Sequence, residues 1–154
     1  IVTIGGASVG DHDLVGQVAA ELGLNRAFYK IAMRPGKPLM SGTLRDTPFL
    51  GLPGNPVSAM VCGHLFLIPM LRRLLGQQDV LPREVSAQLS HDIPENGPRA
   101  HYMRALMDDN RRISPASRQD SALLTVLAEA NALLIRPVGD PARKAGDQVS
   151  AILL

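Results

Sequence analysis

The sequence predicts an α/β fold in its first half and an all-β fold in its second. In residues 1–76, strand-like apolar runs alternate with glycine turns and amphipathic helices, which is the order of an α/β domain. After residue 82 the apolar residues alternate in short pieces separated by turns. We therefore expect a partial α/β domain at 1–76, a polar linker at 77–82 and a small β-barrel at 83–154.

The first half begins with a β-branched strand at residues 1–4 and a glycine-rich turn at 5–10. Apolar residues then recur with helical spacing over residues 11–22. Three extended runs follow, at 28–33, 38–43 and 49–52. Because Lys30 and Arg34 are four residues apart in extended chain, we expect their side chains to share one strand face.

The turn at residues 53–58 joins the last of these strands to a long helix predicted over 57–75. Pro53 and Gly54 break the strand, and Asn55 is placed to cap a helix that begins with proline, where the missing N–H costs nothing. The free N–H groups of such a helix start also form an anion site at the end of a sheet strand. The sequence is consistent with either role.

The second half is expected to contain one short helix and five strands. The helix is predicted at 121–130, and the strands at 84–93, 102–107, 111–114, 132–136 and 148–153. Clusters of Asn, Asp, Gly and Pro separate them, as turns require.

Composition excludes several classes of function. The net charge is +2 and aromatic residues make up 3% of the chain, so neither a nucleic-acid surface nor a base-stacking platform is expected. No apolar run of membrane-spanning length and no signal peptide is predicted, because charged residues and Pro69 interrupt the long helix. The single cysteine, Cys62, fits a cytoplasmic setting. The four histidines share no ligand spacing, so none is predicted to bind a metal.

Two helices are too few to cover both faces of a parallel sheet. We therefore expect further strands and helices before Ile1 in a longer protein. Uncovered apolar surface favours association, so the chain is expected as an oligomer or with a retained N-terminal piece.

Three motifs, in order along the chain, resemble one family. Residues 5–13, Gly-Gly-Ala-Ser-Val-Gly-Asp-His-Asp, are similar to the GGxSxGxxD turn of molybdopterin molybdotransferases, the MoeA family, which includes the E domain of gephyrin-like proteins. Residues 28–38 resemble that family's WKxxMxPGKP segment, and residues 52–58 its LPGNPVS turn. The tail over residues 120–147 resembles its C-terminal barrel domain.

The resemblance implies the second half of a three-layer αβα molybdopterin-binding domain followed by a barrel, with further domains upstream. It implies that the parent protein inserts molybdate into the dithiolene of adenylylated molybdopterin and releases AMP, with Mg²⁺ assisting. It also implies a homodimer, the adenylyltransferase of the same pathway as a further partner, and an inactive fragment in isolation.

Molybdate is a tetrahedral dianion, so its site needs N–H donors, hydroxyls and fixed positive charge. Arg34 and Lys37 flank one tight turn, and Lys30 and Pro38 belong to the same family-like segment. The alternative for these cations is a solvated turn position. Many family members have lysine where this chain has Arg34, which keeps the charge but changes the donor geometry.

Asp13 is the predicted catalytic residue and metal ligand. A carboxylate among phosphate-binding turns is costly unless it holds Mg²⁺ or polarises a water, although Asp13 also suits the first turn of a helix. Ser8 and Ser58 each stand in a glycine turn before a helix, where a hydroxyl can bind an anion or cap the helix. The other predicted binding residues are Gly5, Gly6, Gly10, Pro53, Gly54 and Asn55 in the turns and, by resemblance, Arg99, Arg104 and Ser121 in the barrel.

Two other functions stay open. A molybdopterin adenylyltransferase shares the glycine turns but usually lacks both the PGKP segment and this barrel, so residues 83–154 argue against it. A non-enzymatic oligomerising scaffold that binds partner peptides is the second alternative. A generic nucleotide-binding module is not supported, because the chain has no Walker lysine-serine turn.

Overall fold

The computed structural model describes residues 1–6 and 14–154, which form two compact units. The N-terminal unit comprises Ile1–Ile31 and Pro35–Val80, and the C-terminal unit comprises Ala32–Arg34 and Leu81–Leu154. The chain therefore enters the C-terminal unit briefly before it returns to complete the first one.

A four-stranded sheet in the order β1-β5-β4-β2 forms the centre of the N-terminal unit. Its strands are β1 (Val2–Ile4), β2 (Asn25–Tyr29), β4 (Met40–Leu44) and β5 (Thr47–Leu52). β1 and β5 are parallel, whereas β5 with β4 and β4 with β2 are antiparallel. The expectation of a parallel sheet was therefore wrong for β2 and β4.

The loop between β4 and β5 explains this antiparallel pairing. Its two residues, Arg45 and Asp46, both have positive φ, +47° and +65°, as a type I′ hairpin turn requires. A connection of two residues can join only antiparallel neighbours.

Lys30 ends β2 and separates it from β3 (Met33–Arg34). Its φ of +69° lies in the left-handed region, which a strand does not contain. The continuous strand predicted at 28–33 was therefore wrong, and the inference that Lys30 and Arg34 share a strand face fails with it. β3 instead pairs in parallel with β7 (Ala100–Met107) of the C-terminal unit.

One helical segment follows β5, as predicted, and comprises α2 (Pro56–Cys62), a π-helical turn (Gly63–Leu67) and α3 (Ile68–Leu74). The predicted cap is confirmed: Asn55 Oδ1 accepts the Ser58 N–H at 3.4 Å, and Pro56 is the first helical residue. Pro69 has no N–H to donate to the carbonyl of Leu65 four residues earlier. The π turn accommodates this, because the Ile68 N–H bonds to the carbonyl of Gly63 instead.

The same segment is long and apolar enough to cross a membrane, with 19 residues of mean hydropathy 1.3. The expectation that no stretch reaches this length was therefore wrong, because Pro69 does not end the helix. A core helix of a globular protein meets the same criterion, but only 28% of this stretch is buried, with Val57, Val61 and Cys62 among its buried residues.

The helix α1 (Leu14–Glu21) packs its Ala19 against Met40 and Phe49 of the sheet. These three buried side chains form a small apolar core for the N-terminal unit. The first turn of the helix predicted at 11–22 falls partly outside the described residues.

The C-terminal unit is a closed barrel of five strands, extended at one side by β3. The strands are β6 (Glu84–Leu89), β7, β8 (Arg112–Pro115), β9 (Ala132–Arg136) and β10 (Gln148–Leu153). The sheet order is β3-β7-β8-β6-β10-β9, and pairing of β7 with β9 closes the ring. The predicted α/β part followed by a small barrel is confirmed, although the strand expected at 84–93 already ends at Leu89. One short helix, α4 (Leu124–Glu129), lies in the predicted 121–130 region.

The barrel interior is filled by small and branched apolar side chains from alternate strand positions. Its buried members include Ala87, Leu89, Ile113, Leu134 and Ala151. This period of two is the alternation that the sequence analysis used to predict the strands.

Three charged residues, Arg136, Asp140 and Arg143, form an ion triad that stabilises the turn after β9. Arg136 bonds Asp140, and both side chains are buried, while Arg143 Nη2 lies 2.5 Å from Asp140 Oδ1. Arg136 also donates to the carbonyls of Pro94 and Pro141 at 3.0 and 2.9 Å. Burial raises the pKa of Asp140, but the hydrogen bonds from Arg143 and Arg136 outweigh it, so the pKa lies below its usual value. The buried guanidinium of Arg136 is thus neutralised by a carboxylate.

Asp140→Asn should destabilise the C-terminal unit by about 3 to 5 kcal/mol, because it leaves the buried charge of Arg136 without its partner. Asp92→Asn is the matched control, since the Asp92–Lys144 pair is exposed, and it should unfold close to the wild type. Denaturant unfolding of both variants measures the difference. Equal losses of stability would contradict the structural role of the triad.

Candidate functional site

Two of the three predicted turns pack backbone against backbone in the N-terminal unit. The Gly5 N–H donates to the carbonyl of Leu52 at 3.0 Å, next to the turn that begins at Pro53. A Cβ added at Gly54 would lie 3.2 Å from the Cα of Gly5, so this approach favours glycine. Gly5 and Gly6 also have positive φ, +78° and +71°. Ser8, Gly10 and Asp13 lie outside the described residues.

The side chains beside Gly54 serve the helix start. Pro53 is fully buried, and Ser58 is 6% exposed. Asn55 is half-buried and uses its side-chain oxygen for the cap described above. The cap is therefore present in the structure, and an anion site at this helix start stays a prediction.

The cations of the second predicted turn belong to different units. Arg34 lies in β3 of the C-terminal unit, and Lys37 in the N-terminal unit, and both are exposed. The carbonyl of Lys37 accepts the N–H groups of Ile31 and Leu39 at 3.0 and 3.1 Å. The backbone at Lys37 is thus held on both sides while its side chain faces solvent.

Lys30 contacts an aromatic ring. Its Nζ lies 5.0 Å from the ring centroid of Tyr29, a cation–π distance. Pro38 is half-buried. Lys30 therefore has a structural contact, and its role in binding stays a prediction.

Arg104 is a charged residue that is almost completely buried, with 1% of its surface exposed. Its Nη1 donates to the carbonyls of Asp120 and Leu123 at 2.9 and 3.2 Å, and its Nε donates to Gln119 Oε1 at 3.3 Å. None of the ion pairs among residues 1–6 and 14–154 includes it. Burial lowers the pKa of Arg104, the Asp120 charge opposes this, and the charge of Arg34 lowers it further. Arg104 is thus a buried charge held by neutral acceptors, and an anionic ligand at this position stays a prediction.

His101 of β7 lies near four arginines, Arg34, Arg99, Arg104 and Arg136, which we call the cationic cluster. It stands opposite Arg34 of β3 and Arg136 of β9 in the strand register. The residue is 7% exposed, and its Nε2 has no hydrogen-bond partner in the part of the chain that the structure describes. Burial lowers the pKa of His101 to about 4, and the charges of Arg34, Arg104, Arg136 and Arg99 act in the same direction. The imidazole is therefore neutral at neutral pH.

The other two predicted barrel residues are less enclosed. Arg99 is exposed, and its carbonyl accepts Asn96 Nδ2 at 2.8 Å. Ser121 is half-buried in the turn before α4. Of the three barrel positions taken from the resemblance, only Arg104 is buried.

Sequence reasoning missed His101 and Gln119. His101 was set aside because the four histidines share no metal-ligand spacing, yet its position depends on the pairing of β3 with β7. Gln119 lies in a polar stretch without periodicity, and nothing local indicates that its amide contacts Arg104. For His101, the one available signal was the alternation of buried and exposed positions along β7, which includes residue 101.

The described residues contain no group of three or more His, Cys, Asp and Glu side chains that could hold a metal ion. Asp13, the predicted metal ligand, is outside them. Cys62 is fully buried, and burial raises its pKa to about 12, so its thiol is unsuited to ligation or nucleophilic attack.

We expect the stability of the fold to fall between about pH 6.5 and pH 4. In this window His101 takes up a proton in the unfolded chain, where its pKa is near 6.5, but stays neutral when folded. The loss is on the order of 3 kcal/mol, since one pKa unit corresponds to about 1.4 kcal/mol. Denaturant unfolding at several pH values measures it. His101→Met should flatten this dependence, whereas His91→Asn, at an exposed position, should keep it. An unchanged dependence in His101→Met would contradict the assignment.

Two family models match the chain and leave only residues 74–85 uncovered. Residues 1–73 match the model described as "Probable molybdopterin binding domain", and residues 86–154 match "MoeA C-terminal region (domain IV)". The uncovered stretch extends from the last residue of α3 to the second residue of β6.

Similar full-length proteins agree with these matches. The molybdopterin molybdenumtransferase of Bacillus subtilis is 32% identical over all of this chain and 36% of its own length, and that of a Nostoc species is 33% identical over all of the chain and 37% of its own length. The crystal structure of a molybdopterin biosynthesis MoeA protein from Pyrococcus horikoshii has a TM-score of 0.78 at 27% identity, covering 99% of this chain and 36% of that one. This chain thus spans little more than a third of the length of these relatives. Both units match, and the chain belongs to the molybdopterin molybdenumtransferase (MoeA) family.

Proposed function

We propose that this chain is part of a molybdenum cofactor biosynthesis enzyme and supplies oxyanion-binding groups for its reaction. The reaction is insertion of molybdate into adenylylated molybdopterin with release of AMP. Because the relatives are almost three times as long, we assign the activity to a longer protein that contains this chain and expect the chain alone to be inactive.

The observation that carries the proposal is the buried, unpaired charge of Arg104. Among the described residues Arg104 makes no ion pair, although the Asp120 charge acts on it, and a tetrahedral dianion would provide a counter-charge in direct contact. Arg34 belongs to the same cationic cluster and is exposed, so it is available to a ligand. Arg99 and Ser121 are proposed as weaker contributors to the same function.

The glycine turns are proposed to bind the pterin phosphate or the molybdate through backbone N–H groups. Close packing of Gly5 against Gly54 leaves this backbone without side chains. Charges from Lys30 and Lys37 and hydroxyls from Ser8 and Ser58 are proposed to add to it. Gly6, Gly10, Pro38, Pro53 and Asn55 are proposed to contribute to the same binding function.

Asp13 is proposed to hold Mg²⁺ or to orient a water at the phosphate, because its negative charge cannot attract an oxyanion directly. We further propose a cytoplasmic homodimer, with the pathway's adenylyltransferase as a partner. The scaffold alternative predicts no loss of cofactor formation when Arg104 or Lys37 is changed.

Arg104→Met should lower the affinity of the 154-residue chain for molybdate by roughly tenfold or more, because a charged hydrogen bond contributes about 1.5 to 3 kcal/mol. Methionine fills a similar volume, and circular dichroism confirms that the variant is folded. Arg112→Met, at an exposed position of β8, is the matched control and should bind like the wild type. Isothermal titration with molybdate measures both, and equal affinities in all three proteins would refute the role of Arg104.

Asp13→Ala in the full-length protein should impair AMP release more than molybdate binding, because Asp13 acts on the phosphate through a cation or a water. Lys37→Ala should do the reverse, since it removes a fixed positive charge. Single-turnover AMP release and molybdate titration separate the two effects. The proposed division of roles is wrong if both variants change both quantities equally.

A further inference from the structure

Gln119 holds Arg104 by its backbone and by its side chain. Its Oε1 accepts the Arg104 backbone N–H at 3.0 Å and the Arg104 Nε at 3.3 Å. Its Nε2 donates to the carbonyls of Arg104 and Ala116, both at 2.9 Å. One amide therefore fixes the strand position and the guanidinium together.

The contacts of Arg104 leave one end of the guanidinium available. Nε is bound by Gln119, and Nη1 by the carbonyls of Asp120 and Leu123. Within residues 1–6 and 14–154, no hydrogen bond uses Nη2. The planar group is therefore held in one orientation by neutral acceptors, with a terminal N–H₂ that can still donate.

The side-chain amide of Asn131, also in the barrel, makes part of the same arrangement with the backbone of β7. Asn131 Oδ1 accepts the Met107 backbone N–H at 2.8 Å, and its Nδ2 donates to the Met107 carbonyl at 2.8 Å. Asn131 and Gln119 thus make the same two-way clasp on β7. Gln119 differs in two further bonds, one to the Ala116 carbonyl and one from Arg104 Nε, and only the second involves the guanidinium.

A glutamate at residue 119 could accept the same two N–H groups, but it would place a carboxylate against the guanidinium. Arg104 would then be neutralised in the way that Asp140 neutralises Arg136. The amide provides the same acceptor oxygen without the charge.

We propose that Gln119 is a positioning residue that orients Arg104 and, because it is neutral, keeps the Arg104 charge available for an oxyanion. The proposal rests on the oxyanion-binding role of Arg104 given above. It adds that residue 119 must be an amide: the acid weakens oxyanion binding even where the fold is kept.

The test compares Gln119→Glu with Asn131→Asp, which makes the same amide-to-acid change in the matched clasp. Isothermal titration of the 154-residue chain with molybdate, and with sulfate as a second tetrahedral dianion, gives the affinities, and thermal unfolding gives the stabilities. Gln119→Glu should lose roughly tenfold or more in affinity for both ions. Asn131→Asp should bind like the wild type, whatever its change in melting temperature.

Two further variants separate charge from structure. Gln119→Met removes the clasp without adding charge, so it should lose affinity, but less than Gln119→Glu, and it tests the positioning role if Gln119→Glu does not fold. In an Arg104→Met background, Gln119→Glu should have no additional effect on affinity, because its target is gone.

The outcomes distinguish this inference from the proposed function. A wild-type chain that binds neither dianion overturns both. Wild-type binding with undiminished affinity in Gln119→Glu or Gln119→Met overturns the role of Gln119 and leaves the function of Arg104 standing. Equal losses in Gln119→Glu and Asn131→Asp show that the clasp is only structural, which also overturns it.

Discussion

The pairing of β7 with β9 is the interaction on which the C-terminal unit depends, because it closes the barrel and leaves no free edge between these strands. β7 also pairs with β8 and receives β3 from the N-terminal part of the chain. This places Arg34 opposite His101, and His101 opposite Arg136, in adjacent strands. The cationic cluster is therefore a consequence of strand register. A slip of one residue would move every one of these side chains to the other face.

The barrel contains two buried arginines that are satisfied in opposite ways. Arg136 has Asp140 as its counter-charge and carbonyls for its remaining donors, so it fastens a turn and has nothing left to offer a ligand. Arg104 has carbonyls and one amide but, among the described residues, no carboxylate within ion-pair distance. Arg136 thus has a structural role, whereas the binding role of Arg104 is the one proposed above. Burial alone does not distinguish the two; the chemistry of the partners does.

Local chemistry made much of the fold predictable. The Asn55 cap and the strands at 132–136 and 148–153 depend on neighbouring residues, and the structure has them where the sequence indicated. The errors arose where local signals compete with tertiary pairing. Lys30 adopts positive φ and divides a run that reads as one strand, and Pro69 is accommodated by a π turn. His101 and Gln119 were missed because their partners are distant in sequence, in β3 and β7.

The unpaired charge also bears on the choice between enzyme and scaffold. A barrel that only holds protein subunits together gains nothing from a buried cation without a counter-ion, since apolar residues of similar volume often replace buried ions at no cost in stability. At Arg104 the chain instead keeps a charge that makes no ion pair among the described residues, and Gln119 holds its guanidinium. Burial and the nearby charge of Arg34 both disfavour the charged form of Arg104. These observations support the proposed oxyanion site, and they do not depend on the family assignment.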